Sequence, residues 1–411
     1  MSRAQNIEML PKIAWRNIWR SPARSFVVIG AVAVGVWSVL AMISMSNGFV
    51  KSYIDNAIRY QTSHIQLHNP NFPEDKDVQF SLENVDATVQ NIMAREGVDA
   101  ATARTLVNGM ISTSAGARGG MIRGVEPDSE AKTTSLKEKI IEGEYFSDKK
   151  NQILIGKPLA KKLNLKLRKK VVLQFQNLEG DIVAGAFRVA GIFDTGNTLM
   201  DEMNVFVKRE NLNKLLGSPD IAHEIAIYLK NPETLDSEVA AIAAANPNAL
   251  TENYRELSPD VKLYETSMGT SSIVFIGLFM LALIFGIINT MLMAVLERNK
   301  ELGMLMAVGL NKGKVFTMIM LETLLLGCVG APLGMLLGWL TINYFSNNGL
   351  DLSSFASGLE QMGMSTMIYP AADTSLYLQM TAAVAITALL AAIYPSLKAI
   401  KLRPVEAMRK I

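Results

Sequence analysis

This 411-residue chain has one cysteine and three histidines, so thiol and imidazole metal ligands are scarce. Cys328 stands alone inside an apolar run, which excludes an intrachain disulfide and any cysteine-based metal site. His64 and His68 are neighbours, but two imidazoles are too few to hold a metal without ligands from elsewhere. Charge of one sign is scarce as well. With 40 Lys and Arg against 38 Asp and Glu the formal net charge is +2, so no overall basic field argues for nucleic acid. Nucleotide motifs are missing. GLNKGK at 309–314 looks like a phosphate loop, but Gly309 and Gly313 enclose three residues where a P-loop needs four, and Val315 follows where Ser or Thr is required. GKPLAKK at 156–162 fails with Pro158 after its lysine. Neither G-x-S-x-G nor H-E-x-x-H occurs, and no catalytic set emerges. If ATP drives this chain, another subunit binds the ATP.

Apolar sequence is what the chain has in quantity. Hydrophobic residues make up 49%, and the mean hydropathy is +0.21. That balance fits a membrane protein with a sizeable polar part. Four runs are long enough to cross about 30 Å of hydrocarbon: Ser25–Met45, Ser271–Leu296, Val315–Phe345 and Ser375–Pro395. The first is too long for a cleavable signal peptide, lacks an A-x-A site and follows a polar, basic stretch.

Local charge orients the spans. Arg3, Lys12, Arg16, Arg20 and Arg24 precede the first. Arg298, Lys300, Lys312 and Lys314 lie between the second and third, and Lys398, Lys401, Arg403, Arg409 and Lys410 follow the fourth. The loop Ser346–Thr374 has no Lys or Arg but carries Asp351, Glu360 and Asp373. Both termini and the 297–314 segment are therefore expected in the cytoplasm, and the insert of about 47–268 on the far side. The expected organisation is a cytoplasmic interfacial helix at 1–24, spans at 25–46, 271–296, 315–345 and 375–395, an α+β insert with helical stalks at 47–268, a short cytoplasmic helix and turn at 297–314, an outer loop at 346–374 and a cytoplasmic tail at 396–411.

The insert alternates strand-like runs with helical ones. HIQLH, GGMIRGV, NQILIG, KVVLQFQ, AGAFRVAGIF, MNVFVK and HEIAIYL read as strands. SLENVDATVQNIMAREG, KPLAKKLNL and PETLDSEVAAIAAA read as helices. The pattern predicts a two-lobed α+β domain. Its ends, Gly48–Gln61 and Leu257–Thr270, are expected to continue the first two spans as stalks, with Pro259 and Gly269 as places where the second could break.

Three further features carry expectations. In MLPKIAWRNIWRSP, Lys12, Arg16 and Arg20 fall on one i, i+4 row and Leu10, Ala14 and Ile18 on another, which with Trp15 and Trp19 suits a helix in the membrane interface. Gly330, Gly334 and Gly338 form a G-x-x-x-G-x-x-x-G row that permits close helix approach, within the chain by default or at a subunit interface. Pro332 inside it should kink the helix. Glu322 lies about 12 Å along the helix from Lys314, an intramembrane carboxylate. It reads either as an ion or substrate site or, preferably, as a structural partner for Arg16, Arg20 or Arg24, or as a helix cap.

ERNKELGMLMAVGLNKGKVFTMIMLE, residues 297–322, interrupts two spans with a short charged helix. Leu302, Leu305 and Met306 are expected on one face, able to lie on the bilayer or fit a cleft on a partner. This stretch resembles the "ER-x-x-E-I-G-x-L-R-A-x-G-A" region of the FtsX/MacB-type ABC transporter permeases. YPSLKAIKLRPVEAMRK is similar to that family's C-terminal "P-V-E-A-L-R" pattern, and ILIGKPLAKKLNLK and FRVAGIFDTG to its periplasmic domain. The resemblance spans nearly the whole chain. It implies four transmembrane helices with a large α+β periplasmic domain between the first and second, and a multi-pass protein of the bacterial inner membrane.

The resemblance also implies mechanotransmission: ATPase closure in the cytoplasm is passed through the helices to the periplasmic domain. Glu297, Arg298, Glu301, Gly303 and Gly309 sit on motif positions of an ATPase-coupling helix, joined by Leu302, Leu305 and Met306, while Met304 and Met306 depart mildly from the pattern. The chain is expected to be non-catalytic, with ATP and Mg on a partner ATPase dimer and no cofactor of its own. A second permease copy or paralogue, membrane lipids, a lipoprotein substrate and a periplasmic carrier are the other expected partners, and nucleic acid is not among them. With no ATPase ahead of the first span, the layout is most like the separate lipoprotein-releasing LolC/LolE permeases. LolC carries a long hook between two strands, whereas QFQNLEGDIVAGAFRV allows only a short turn around Leu178–Gly180, which points toward LolE or another branch. A MacB-like drug or peptide efflux permease and an FtsX-like regulator of a cell-wall hydrolase are the alternatives.

Overall fold

The computed structural model describes residues 3–308, 310–361 and 364–401. The chain opens with α1 (Arg3–Arg20) and α2 (Pro22–Ala57). An inserted domain follows: β1 (Ile65–His68), α3 (Val85–Met93), β2 (Val98–Thr113), β3 (Gly116–Val125), α4 (Pro127–Thr133), β4 (Ile140–Gly143), β5 (Gln152–Gly156), α5 (Lys157–Lys162), β6 (Lys170–Gln176), β7 (Ile182–Phe193), α6 (Thr198–Met203), β8 (Asn204–Lys208), α7 (Arg209–Leu216), β9 (Glu224–Leu229), α8 (Leu235–Ala245) and β10 (Leu250–Asn253). The chain then returns to long helices: α9 (Pro259–Glu297), α10 (Asn299–Ala307), α11 (Lys312–Asn348) and α12 (Thr374–Ile400). The molecule divides into two compact units. One holds α1, α2 to Phe49, α9 from Thr266, α10, α11 and α12; the other holds Val50–Glu265 with the Asp351–Met367 segment.

In the helical unit, α2 with the turn after it, α9, α11 and α12 are long and apolar enough to cross a membrane. At 1.5 Å per residue, α9 runs roughly 60 Å, about twice the hydrocarbon thickness, so it extends well beyond any bilayer. Pro259 opens α9 at a helix start, where the missing N–H costs nothing, and Gly269 lies within its unbroken run. Pro332 likewise sits inside a continuous α11. The glycine row of α11 lies against α2: a Cβ on Gly330 would come 2.8 Å from Val32 Cβ, one on Gly334 2.5 Å from the Ala33 carbonyl oxygen, and one on Gly338 2.8 Å from Leu40 Cδ1. The absent side chains are what let the two backbones meet. One turn toward the start of α11, Gly327 faces Ala388 of α12.

The inserted domain has two lobes joined by one strand. In the first, β10, β1, β9 and the start of β2 form an antiparallel sheet. Its core packs Ile65, Leu67, Ile225 and Ile227 against Val85 and Ile92 of α3 and Ile242 of α8. Tyr53, Ile54 and Val261 join this core, so the helical ends of the domain are part of it. In the second lobe β2, β3, β8, β5, β7 and β6 pair in a closed ring, since β6 bonds both β7 and β2. Closure leaves that ring no free edge. Alternating residues such as Val171, Leu173 and Phe175 of β6 and Phe187 and Val189 of β7 fill its interior. The β6–β7 turn is short, as its sequence required. Asn177 Oδ1 accepts from the Glu179 and Asp181 amides at 3.0 and 2.8 Å, and Gly180 supplies the left-handed conformation at φ +88°.

β2 is the strand that sequence reading missed, together with β4 and β10. Its residues to Arg104 pair with β9, and from Thr105 onward they pair with β3. At that crossing Arg104, 1% exposed, donates through Nε and Nη2 to both oxygens of Glu130 at 2.9 Å and through Nη1 to Glu224 at 2.6 Å. Burial alone would lower the Arg104 pKa, but the two carboxylates outweigh it and hold the guanidinium above its ordinary value. Burial would likewise raise Glu224, yet Arg104 and Arg123 hold it below the usual carboxylate range. A buried, hydrogen-bonded triad of this kind fixes the crossing, because removal of the shared arginine strands both carboxylates without solvent.

Candidate functional site

The elbow between α9 and α11 is built from local signals. α9 ends at Glu297, Arg298 occupies the N-cap position of α10, and Asn311 caps α11 by accepting from the Gly313 amide at 3.1 Å. Asn311–Lys314 is therefore the start of a helix, which accounts for its Asn without any phosphate. On α10, Leu302 and Met306 stand four apart and pack toward the helical core, Leu302 fully and Met306 partly. Leu305 does not share their face as expected. It is exposed with Met304 and Val308, because a residue three positions on is rotated to the flank of the buried row. Gly303 is buried, and Gly309 lies outside the described residues.

Glu297, Arg298 and Glu301 of the elbow are engaged with one another and with α1 and α2. Arg24 pairs with Glu297. Arg20 meets Glu301 at 2.9 and 3.0 Å, and Glu301 also accepts from Arg298 Nε at 3.3 Å. Arg298 Nη1 reaches Glu322 Oε1 at 3.3 Å, and Asn17 Nδ2 donates to the same oxygen at 2.6 Å. Glu322 is 6% exposed. Its partners are thus Arg298 and Asn17 rather than Arg16, Arg20 or Arg24. All of these paired side chains except Glu297 line a cavity of about 160 Å³ with Ser21 and Ser25. The Arg20–Glu301 pair, with the arginine side chain 64% exposed, contributes little by itself; breaking the shielded Arg298–Glu322 pair would cost more, because it strands a sheltered charge.

α1 reaches this network because its buried row faces α11. Ala14 and Ile18 are buried, while Lys12, Arg16 and Arg20 are exposed, as the two rows required; the Leu10 side chain lies outside the description. Asn17, three residues from Ala14, is the polar member of the inward face. A single amide on an otherwise apolar i, i+3, i+4 face was the available signal for it, and sequence reading passed it over. Trp15 and Trp19 are exposed and meet edge to face at 5.8 Å, with Phe26 continuing the row at 6.0 Å from Trp19. Among the described residues no group of three or more His, Cys, Asp or Glu is placed to hold a metal ion.

A domain inserted between the first and second of four membrane-type helices, followed by an elbow helix between the second and third, defines a multi-pass membrane permease. The comparisons with known proteins agree. The MacB-like periplasmic core domain matches residues 25–245 and the FtsX-like permease C-terminal region matches residues 273–404, and the chain belongs to this permease family. It is an ABC transporter permease of the LolC, MacB and FtsX type.

The chain is 23% identical to the lipoprotein-releasing system transmembrane protein LolC of Neisseria meningitidis serogroup B, over 94% of each chain. It is 21% identical to the LolC of Xylella fastidiosa over 70% of this chain and 72% of that one. It is also 24% identical to the macrolide export ATP-binding/permease protein MacB of Aggregatibacter actinomycetemcomitans over 76% of this chain and 50% of that one. Among solved structures, the periplasmic region of MacB from Actinobacillus actinomycetemcomitans aligns at 11% identity and a TM-score of 0.36, covering 51% of this chain and 97% of that one. The extracellular domain of the transporter YknZ aligns at 15% and 0.33, covering 46% and 99%.

Proposed function

We propose that this chain is the membrane half of a mechanotransmitting ABC transporter, with both termini and the elbow in the cytoplasm of a bacterium and the inserted domain in the periplasm. A separate ATPase dimer docks on α10 and drives α9 and α11, beside a second permease copy or paralogue. The exposed apolar surface of Met304, Leu305 and Val308 carries this reading. Arg298 and Glu301 beside it are engaged internally, so this patch offers a partner apolar contact, with Lys300 as an exposed charge on the same helix. The cargo we assign is a lipoprotein or similar lipophilic molecule, extracted from the outer leaflet of the inner membrane. Two relatives named for lipoprotein release support it. The similarity to a macrolide exporter makes efflux the competing reading.

The internal pairs of the elbow decide which variant tests the docking. Glu301 serves Arg20 and Arg298, so reversing its charge would disturb the elbow itself. Leu305→Glu leaves those pairs intact. Co-purification of the ATPase with the Leu305→Glu chain should fall about tenfold or more, as expected when a desolvated interface anchor is lost, while the yield of folded permease is unchanged. Retained capture rejects the docking. In the intact assembly, lipoprotein in lipid nanodiscs should stimulate ATP hydrolysis; stimulation by a macrolide and not by lipoprotein would assign efflux instead.

A further inference from the structure

The carboxylate of Glu322, on α11, touches both the elbow helix and α1 from within the helical core. Oε1 accepts from Asn17 of α1 at 2.6 Å and from Arg298, the N-cap residue of α10, at 3.3 Å. Both contacts are sheltered, since Glu322 is 6% exposed and the Arg298 side chain 21%. The remaining links are outlying. Arg20 closes the circuit to Glu301, and Arg24 ties the base of α2 to the end of α9 through Glu297, both at the solvent edge. A carboxylate inside an apolar helix is costly unless its lone pairs are used, and here two separate elements use them. Each arm differs in kind: Asn17 needs only an acceptor, whereas Arg298 needs the negative charge.

We propose that Glu322 is a positioning residue, a post on α11 that fastens α1 by its amide arm and α10 by its ionic arm, so that the three elements receive force as one piece. α1 is then a working part of the elbow and not merely a membrane-surface anchor. The functional consequence rests on the docking reading above; the fastening itself does not. The two arms make the test specific. Amide hydrogen exchange on the full chain in nanodiscs should show Glu322→Ala speeding exchange about tenfold in both the Lys12–Arg20 and Asn299–Ala307 segments, with α12 unchanged.

Glu322→Gln keeps an acceptor for Asn17 but loses the charge, and should loosen only the Asn299–Ala307 segment. Asn17→Ala should loosen only Lys12–Arg20. A residue that merely fills space in α11 would not separate these effects. Equal loosening of all segments including α12, no loosening in either arm, or failure of the Gln and Asn17 variants to separate overturns the proposal; the two milder variants decide it where Glu322→Ala does not fold. The experiment needs no ATPase. Failure of the ATPase to bind α10 therefore defeats the docking reading while the exchange pattern still decides the post.

Discussion

His64 enters β1 with its imidazole enclosed: Nδ1 accepts the Leu229 amide at 3.1 Å and the ring lies 4.4 Å from that of Tyr228. Burial pushes its pKa down to about 4. His223 is lowered too, by burial first, with the Val78 carbonyl partly opposing; its Nδ1 accepts from Leu106 while Nε2 donates to Val78, the pattern of a neutral ring. The unfolded chain takes up these protons first as pH falls. Their stabilisation is therefore full above about 6.5 and lost progressively as pH drops toward 4. For His64 the loss is about 3 kcal/mol. Glu224, with its depressed pKa, adds loss only below about 4.5. Chemical unfolding of the inserted domain, followed by tryptophan-independent circular dichroism from pH 7 to 4, should show a falling midpoint, and His64→Gln should flatten part of that slope. A midpoint level across this window would refute the assignment. These protonation states were invisible in the sequence, where the histidines appeared only as too few ligands. Glu322 stood out there because a carboxylate in an apolar run is rare. Its partners did not, since Asn17 lies 305 positions away and Arg298 24.

Elements were legible wherever their burial was one-sided or long. The spans announced themselves by length, β6 and β7 by alternation, and the elbow by charge. β2 did not, because Ala100–Val107 is buried on both sides and built partly of small residues, leaving no two-residue period to read. The triad that locks its crossing joins residues 26 and 120 positions apart, which no local spacing can encode. The glycine row of α11 was legible as a packing surface, and the structure supplies its partner. Since the Cβ of residue 334 would strike a backbone oxygen of α2 at 2.5 Å, no rotamer change can relieve it. Gly334→Val should force α2 and α11 apart and cost about 1–3 kcal/mol, read as a lowered thermal midpoint of the detergent-solubilised chain. Gly286→Val in α9, where an added Cβ meets nothing within 4 Å, is the control expected to melt as the parent does. Equal midpoints for the two variants would show that the α2–α11 approach is not tight.

At the scale of the whole molecule, the question is which parts can stand alone. The helical unit has its core among spans, with large exposed apolar surfaces such as Ile273, Leu281, Phe285 and Leu337 that require lipid. The inserted domain is different in kind. Its second lobe is a closed ring of strands, its first lobe packs α3 and α8 on an antiparallel sheet, and the Arg104 guanidinium, hydrogen-bonded to both Glu130 and Glu224, joins the two. The rings of Tyr53 and Tyr264 meet at 4.9 Å, so the two helical ends of the domain hold each other. A fragment covering 50–265 contains all of these contacts and none of the lipid-facing surface. It should express as a soluble protein and unfold in a single cooperative transition, with near-ultraviolet circular dichroism that disappears together with the far-ultraviolet signal. Loss of the near-ultraviolet signal at native temperature, with retained secondary structure and dye binding, would mean that the domain needs its membrane helices to pack.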